Sequence, residues 1–126
     1  MGKEIIATEA APAAVGAYSQ AVAVDGWLFC SGQVALDPAT GDLLSSTVAA
    51  ETQRCLDNLT AVLAAGGADW SSVVKVTAFL TDMNDFAEFN EAYSGYVGAE
   101  PPARATVGVA ALPKGARVEV ECIARI

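Results

Sequence analysis

Apolar and polar residues alternate along several short stretches of this chain, which is the pattern of β-strands with one buried face. Residues 18–24 and 27–34 form the clearest pair, and only Asp25-Gly26 separates them. This dipeptide favours the tight turn of a β-hairpin, because both of its positions accept a positive φ. The predicted cross-strand pairs are Val24 with Trp27, Val22 with Phe29, Gln20 with Ser31 and Tyr18 with Gln33. We therefore expect the four polar side chains of the last two pairs on one face, with Tyr18 and Ser31 close enough to line one pocket.

Two longer stretches have the helical period. The first covers about residues 47–65, and Gly66-Gly67 follows it as a helix end. The positions expected to be buried are Thr52, Cys55, Leu56, Leu59, Val62 and Leu63. The positions expected to be solvent-exposed are Glu51, Arg54, Asp57 and Asn58. The second is predicted to begin with Asp85 as its cap and Glu88 three residues later. Its buried stripe is Phe86, Phe89, Asn90, Tyr93 and Val97, in which Asn90 is the odd polar member.

Further strands are predicted around these helices. Residues 5–7 form a short opening strand, and residues 73–81 place Val74, Val76, Ala78 and Leu80 on one face. Residues 101–126 predict two strands with a Pro-Lys-Gly connection. The polar faces of these two strands are Arg104, Thr106 and Gly108 on the first, and Arg117, Glu119, Glu121 and Arg125 on the second. This order of elements predicts one α+β domain over residues 1–126, with both helices packed on one face of a sheet.

Composition adds a prediction about partners. Hydrophobic residues make up 53% of the 126 positions and the mean hydropathy is +0.38, which is high for a chain with little interior. We infer that other subunits cover part of the apolar surface. The net charge of -8 repels phosphate backbones and anionic membranes, so neither a nucleic acid nor a membrane is an expected partner.

The residue types present also limit the chemistry. The sequence contains no histidine, which excludes imidazole-based triads and histidine-ligated zinc, so a metal site would need carboxylates alone. Cys30, Cys55 and Cys122 each lie in an apolar run and are predicted to be reduced core thiols. The first residues have no basic-then-apolar leader and no segment is long enough to cross a bilayer, so we expect a cytoplasmic protein.

Arg104 and Glu119 are the leading candidates for chemistry. A planar guanidinium matches a carboxylate, and a glutamate on a rigid strand can hold or deprotonate a water molecule. From the strand pattern alone, a structural salt bridge from Arg104 to Glu119 or Glu121 is the more common arrangement. If the two polar faces meet at one pocket instead, the chain would bind a small carboxylate and add water to it. Glu121 shares a face with Glu119 and is its rival for orienting that water.

Short motifs lie along nearly the whole chain. They are residues 16–20 (Gly-Ala-Tyr-Ser-Gln), 29–33 (Phe-Cys-Ser-Gly-Gln), 81–86 (Thr-Asp-Met-Asn-Asp-Phe), 90–93 (Asn-Glu-Ala-Tyr), 102–104 (Pro-Ala-Arg), 112–114 (Leu-Pro-Lys) and 118–121 (Val-Glu-Val-Glu). Their order and spacing resemble the RidA (YjgF) family of imine and enamine deaminases. The resemblance implies a chorismate-mutase-like α+β fold with a mixed sheet, and a homotrimer with a pocket at each subunit interface. It also implies hydrolysis of reactive 2-imino acids to 2-keto acids and ammonia, without a cofactor.

The resemblance assigns roles to individual residues. Arg104 is similar to the arginine that holds the substrate carboxylate, and Glu119 to the glutamate that positions the attacking water. The other matching substrate-binding positions are Tyr18, Ser31 and Asn90. Thr106 departs from the family pattern, because these deaminases commonly have cysteine there. If that position acts through its backbone the exchange matters little, whereas a role for the sulfur would change substrate preference.

Other functions stay open at this point. One is a non-catalytic or chaperone-like trimer that binds small carboxylates. Another is the ribonuclease or translation-inhibitor role that the resemblance also brings to mind, against which the acidic charge and the lack of histidine argue. Without the resemblance, Tyr18, Ser31 and Asn90 have simpler roles as a half-buried strand tyrosine, a strand-end hydroxyl and a buried amide.

Overall fold

A mixed six-stranded sheet forms the centre of the structure, a computed structural model that describes residues 2–126. Its strands are β1 (Glu4–Ile6), β2 (Ala21–Val24), β3 (Trp27–Gln33), β4 (Val73–Leu80), β5 (Ala103–Gly108) and β6 (Val118–Arg125), and its helices are α1 (Val48–Ala65) and α2 (Phe86–Val97). The strand order is β1-β2-β3-β6-β4-β5. Only β4 and β5 pair in parallel, and each other neighbouring pair within residues 2–126 is antiparallel. The last two strands of the chain are therefore not neighbours, because β4 lies between them.

Both helices pack on one face of this sheet. α1 lies against β3 and β6, α2 packs alongside α1, and one apolar core fills the space between helices and sheet. Its largest fully buried members include Leu28, Leu56, Leu59, Leu63, Val76, Leu80, Phe89 and Val120. Burial of each such side chain contributes about 1.5 to 3 kcal/mol to folding. The predicted α+β fold with two helices on one face is confirmed. Within residues 2–126, no helix combines the length and the apolar character that crossing a bilayer requires.

The hairpin forms with the predicted register near its turn. The observed pairs are Val24 with Trp27, Ala23 with Leu28, Val22 with Phe29 and Ala21 with Cys30. Asp25 and Gly26 have φ values of 50° and 82°, as a turn of this kind requires. β2 begins at Ala21 rather than at residue 18, so the predicted strand is too long and Tyr18 does not pair with Gln33.

Gln20 ends the regular pairing, and its side chain is buried. Its Nε2 donates to the carbonyl oxygens of Thr8 at 3.0 Å and Pro12 at 2.7 Å. Its Oε1 accepts a hydrogen bond from the backbone N–H of Thr8 at 2.7 Å. The amide therefore fixes the loop between β1 and β2 to the end of the hairpin.

A β-bulge in β3 turns Gln33 toward the core. Cys30 pairs with Cys122 and Gln33 pairs with Val120, so three steps along β3 match two steps along β6. The extra residue reverses the face on which the following side chain lies. Gln33 is buried, and the prediction that it shares a polar face with Ser31 is wrong.

Two polar residues of α1 are buried, contrary to the prediction from spacing. The carboxylate of Glu51, only 3% exposed, accepts hydrogen bonds from the guanidinium of Arg117. Asn58 donates to the carbonyl oxygens of Val34 at 3.3 Å and Leu36 at 2.9 Å. These partners come from segments far away in sequence, which the period of one helix does not reveal. Arg117 therefore turns toward α1 and leaves the polar face predicted for it.

α2 begins at Phe86 without the predicted cap. The side chain of Asp85 makes no capping hydrogen bond. Instead, Oδ1 of Asp82 accepts a hydrogen bond from the backbone N–H of Asn84 at 2.9 Å and caps a short 3-10 turn. Glu88 accepts a hydrogen bond from the backbone N–H of Ala49 at 2.8 Å. The predicted pairing of Asp85 with Glu88 is wrong, because the 3-10 turn leads into the helix and Glu88 connects α2 to the start of α1.

β4 departs from the predicted alternation at its first residues. A register shift between Val73 and Lys75 buries Val73 and leaves Val74 exposed. From Val76 onward the strand alternates as predicted. The prediction that Val74 shares one face with Val76, Ala78 and Leu80 is therefore wrong, because a bulge shifts the start of the strand.

Candidate functional site

Arg104 projects from β5 on the side of the sheet that the helices cover. It pairs with Val76 of β4, which is fully buried in the core, and paired residues of neighbouring strands point to the same side. Its Nη1 donates a hydrogen bond to Oδ1 of Asn90 in α2 at 2.8 Å. The contact between β5 and α2 therefore fixes the direction of the guanidinium.

Three aromatic rings surround the same guanidinium. Its central carbon lies 4.8 Å from the ring centre of Tyr93, 5.6 Å from that of Phe86 and 5.9 Å from that of Phe89. Each ring face attracts a cation, by about 0.5 to 1 kcal/mol at exposed sites and more where water is excluded. The aromatic stripe of α2 thus holds a positive charge in a partly buried position without a carboxylate.

No ion pair neutralises Arg104 within the described residues. The ion pairs found there at 4.0 Å or less join Arg54 to Asp37 and Arg117 to Glu51. The salt bridge from Arg104 to Glu119 or Glu121 that the strand pattern favours therefore does not form. A cavity of about 380 Å³ opens beside the guanidinium, lined by Asn90, Tyr93, Ser94, Val97, Gly98, Pro101, Pro102 and Arg104. We call this cavity the Arg104 pocket.

Thr106 follows Arg104 on the same face of β5 and pairs with Ala78 of β4. Its hydroxyl and that of Tyr93 are buried, with no hydrogen-bond partner among residues 2–126. Burial raises the pKa of Tyr93, and the nearby Arg104 guanidinium acts in the opposite direction. The Tyr93 hydroxyl therefore stays protonated at neutral pH, beside a fixed cation.

Glu119 lies in a second cavity, of about 850 Å³, which we call the Glu119 cleft. Tyr18, Ser31 and Glu121 line the same cleft, so the prediction that Tyr18 and Ser31 line one pocket is confirmed. The Ser31 hydroxyl donates to the carbonyl oxygen of Ser19 at 2.6 Å, which fixes its position. Tyr18 is 53% exposed at the edge of the cleft. Lys114 supplies the basic side chain in the lining.

The Glu119 carboxyl group has a shifted pKa. Partial burial raises it, and the negative charge of Glu121 on the same strand face raises it further. A carboxylate with a raised pKa is a stronger base than an exposed one, so it accepts a proton more readily near neutral pH. The cleft thus contains a carboxylate suited to accept a proton, and the hydroxyl-bearing side chains of Tyr18 and Ser31 line the same cleft.

The two cavities lie on opposite faces of the sheet within one protomer. Glu119 pairs with Phe79 of β4, which alternates with the buried Ala78, so Glu119 points away from the helices. The structure therefore divides the predicted site residues into two groups. One group is Arg104, Asn90 and Thr106 on the helix side, and the other is Tyr18, Ser31 and Glu119 on the open side.

Sequence reasoning missed the contribution of the aromatic residues to the Arg104 pocket. The spacing of Phe86, Phe89 and Tyr93 predicted a buried stripe, and the structure adds that Arg104 lies against it. The signal available in the sequence was Asn90, a polar residue within that apolar stripe. A polar partner for Asn90 could have been sought on a strand, but the stripe alone does not name Arg104.

Comparisons with known proteins identify the family of this chain. The family model described as "Endoribonuclease L-PSP" matches residues 8–126. A rat protein named 2-iminobutanoate/2-iminopropanoate deaminase is 50% identical over 97% of this chain and 89% of its own. The crystal structure of RidA from an Antarctic Psychrobacter has a TM-score of 0.94 and 44% identity, covering 98% of this chain and 99% of that one. The chain belongs to the RidA (YjgF) family. The prediction made from its motifs is confirmed.

One solved member of the RidA family contains a small ligand. The structure of Escherichia coli TdcF with bound serine has a TM-score of 0.93 and 38% identity to this chain, and the match covers 98% of both chains. Serine carries a carboxylate, the group that an unpaired arginine binds most readily. This RidA-family fold therefore accommodates a small carboxylic acid in at least one relative.

Proposed function

We propose that this protein hydrolyses 2-imino acids to 2-keto acids and ammonia, at a site that two neighbouring protomers complete. The observation that carries the proposal is the state of Arg104. This half-buried cation forms no ion pair with any of residues 2–126, and it borders a cavity. Relatives that are about 50% identical to this chain are also named for imine deamination.

Arg104 would bind the carboxylate of the substrate. A guanidinium donates two parallel hydrogen bonds to a carboxylate, and each charge-assisted bond contributes about 1.5 to 3 kcal/mol. Asn90 and the aromatic rings hold the guanidinium in place before the substrate arrives, so little orientation is lost on binding. The Arg104 pocket would thereby fix the position of the imine carbon.

Glu119 would position and deprotonate the attacking water. An imine carbon is already electrophilic, especially when the nitrogen is protonated, so a held water molecule suffices and no covalent nucleophile is needed. Water adds to the carbon, the resulting carbinolamine loses ammonia, and the keto acid remains. The raised pKa of Glu119 suits it to accept the proton of water and to return it to the leaving nitrogen.

A homotrimer would bring the two cavities together. Within one protomer the sheet separates the Arg104 pocket from the Glu119 cleft, so a single chain cannot apply both groups to one substrate. The open face of the sheet exposes Phe29 and Val107, at 44% and 41%, which is typical of a surface that other subunits cover. The Glu119 cleft of one protomer next to the Arg104 pocket of another would supply both groups.

A coupled turnover assay tests the proposal. An amino-acid oxidase generates an imino acid in solution, and we expect added protein to accelerate the appearance of keto acid and ammonia. The Arg104→Ala variant should return the rate to that without protein. An unchanged rate with wild-type protein, across small and bulky imino acids, would contradict the enzyme proposal and favour a binding function.

The name of the family model raises ribonuclease activity as a second candidate. The net charge of -8 disfavours contact with a phosphate backbone, and the sequence has no histidine to act as an acid or base on RNA. Cleavage of RNA that persists in Arg104→Ala would assign that activity to a contaminant or to a different surface.

A further inference from the structure

Gly32 lies against the side chain of Glu119. A Cβ built on Gly32 would come within 2.9 Å of Cδ and 3.1 Å of Cγ of Glu119, and closer still to its Oε2. Gly32 is not among the glycines with positive φ, so its backbone conformation does not require glycine. The side chain of Glu119 therefore occupies the space that a Cβ at this position would need.

The bulge in β3 creates that space. Between the pair Cys30–Cys122 and the pair Gln33–Val120, two residues of β3 stand opposite one residue of β6. Ser31, the other residue of the bulge, is held by its own hydrogen bonds. Its backbone N–H donates to the carbonyl oxygen of Gln20 at 2.9 Å and its hydroxyl donates to Ser19 at 2.6 Å. The backbone beside Gly32 is therefore fixed and cannot easily move away from an added methyl group.

We propose that Gly32 is a positioning residue for Glu119. The absence of a side chain at Gly32 leaves a space, which we call the seat, and the Glu119 carboxylate lies half-buried in it within the cleft. The consequence for catalysis rests on the proposed function, in which Glu119 handles the attacking water. The seat itself is a property of the fold and exists whether or not the protein is an enzyme.

Steady-state kinetics test the consequence for catalysis. Gly32→Ala should lower kcat by about 100-fold, because a displacement of about 1 Å in a catalytic group has effects of that size. KM should change little, since the substrate carboxylate is bound at Arg104. The matched control is Gly95→Ala in α2, where a Cβ meets nothing within 4 Å and φ is not positive, and it should keep wild-type kinetics. Wild-type kcat in Gly32→Ala would overturn the proposal.

A shorter acid should rescue the variant. Aspartate lacks one methylene group, so Glu119→Asp withdraws the carboxylate from the added methyl group. The double variant Gly32→Ala/Glu119→Asp should therefore be several-fold more active than Gly32→Ala alone, while Glu119→Asp alone should be less active than wild type. A double variant no more active than Gly32→Ala would count against the seat.

A stability cycle tests the seat without any assay of activity. Gly32→Ala should lower Tm in the wild-type background, where the methyl group meets Glu119. The same substitution in a Glu119→Ala background should leave Tm unchanged or raise it, because the obstruction is gone and alanine restricts the unfolded chain. An equal loss in both backgrounds would overturn the seat. If wild-type protein turns over no imino acid, the proposed function fails while this cycle still decides on the seat.

Discussion

Arg104 combines two properties that rarely occur together in a folded protein. A half-buried guanidinium loses hydration, and proteins usually compensate for this loss with a carboxylate. Here one amide and three aromatic rings replace the carboxylate. These partners stabilise the cation without neutralising it, so its attraction for an external anion is retained. By contrast, Arg117 has Glu51 as its partner and contributes to the connection between β6 and α1.

Arg104→Lys should weaken catalysis although it keeps the positive charge. Lysine lacks the planar fork and cannot bind a carboxylate through two parallel bonds while also reaching Asn90. We expect a loss of about 1.5 to 3 kcal/mol of transition-state binding, or roughly 10- to 150-fold in kcat/KM. The matched control is Arg54→Lys on α1, which lies 3.7 Å from Asp37 and outside both cavities. Equal kcat/KM for Arg104→Lys and Arg54→Lys would contradict a bidentate role for Arg104.

Glu119→Gln should remove activity. It should also stabilise the protein at pH values above the ordinary pKa of a glutamate. Burial first, and then Glu121, raise the pKa of Glu119 in the folded state. Between the unfolded and folded pKa values the native protein binds more protons than the unfolded chain, so its stability falls as pH rises through that window. A neutral glutamine avoids this loss.

Thermal unfolding across pH measures the effect. The Tm of Glu119→Gln should exceed that of wild type at neutral pH, and the difference should shrink as pH falls below the usual range for a carboxyl group. Glu91→Gln on the exposed side of α2 is the control and should show no such trend. A lower Tm for Glu119→Gln at neutral pH would mean that the carboxylate is a structural partner.

Local elements could be predicted from the sequence because their determinants are local. The register near the Asp25-Gly26 turn and the bounds of α1 follow from neighbours a few residues apart. The burial of Glu51 and Gln33 could not be predicted in this way. Glu51 depends on an arginine 66 residues away, and Gln33 depends on a bulge that forms only when β3 meets β6. Pairing between distant segments decided each of these positions.

Asn58 shows the energetic weight of such a distant contact. Its amide satisfies two backbone carbonyl groups in the segment that follows β3, and the residue is only 2% exposed. Asn58→Ala should destabilise the protein by about 1 to 3 kcal/mol, because both carbonyl groups lose a buried partner. Denaturation in urea measures the change. Gln53→Ala, at an exposed position of the same helix, is the control and should stay within about 0.5 kcal/mol of wild type.

The residues of the candidate site could be named from the sequence, but their arrangement could not. Motif resemblance selected Arg104 and Glu119, whereas their placement on opposite faces follows from the position of β4 and from the direction of each side chain. In β5 the hydrophobic pattern would predict the wrong buried face for a single chain. Val107 is exposed on the open face while Arg104 points toward the helices. This reversal is explained if other protomers cover the open face.

Complementation between two inactive variants tests this arrangement of the whole assembly. Arg104→Ala keeps an intact Glu119 cleft, and Glu119→Gln keeps an intact Arg104 pocket. If each site combines the two cavities from different protomers, oligomers that contain both variants should regain activity. Random mixing in equal amounts predicts two intact halves at about one quarter of the interfaces. Co-expression of the two variants, followed by the coupled turnover assay, measures the recovered rate.

The control for complementation is a mixture of Glu119→Gln with Glu119→Ala. Every cleft in that mixture lacks the Glu119 carboxylate, so no arrangement of protomers can restore a site that contains both Arg104 and Glu119. Recovery in the first mixture alone would therefore require a site shared between chains. If neither mixture recovers activity although the assembly forms, the two cavities do not meet. Because the sheet keeps Arg104 and Glu119 apart in each protomer, that result would remove the proposed mechanism even if wild-type protein is active.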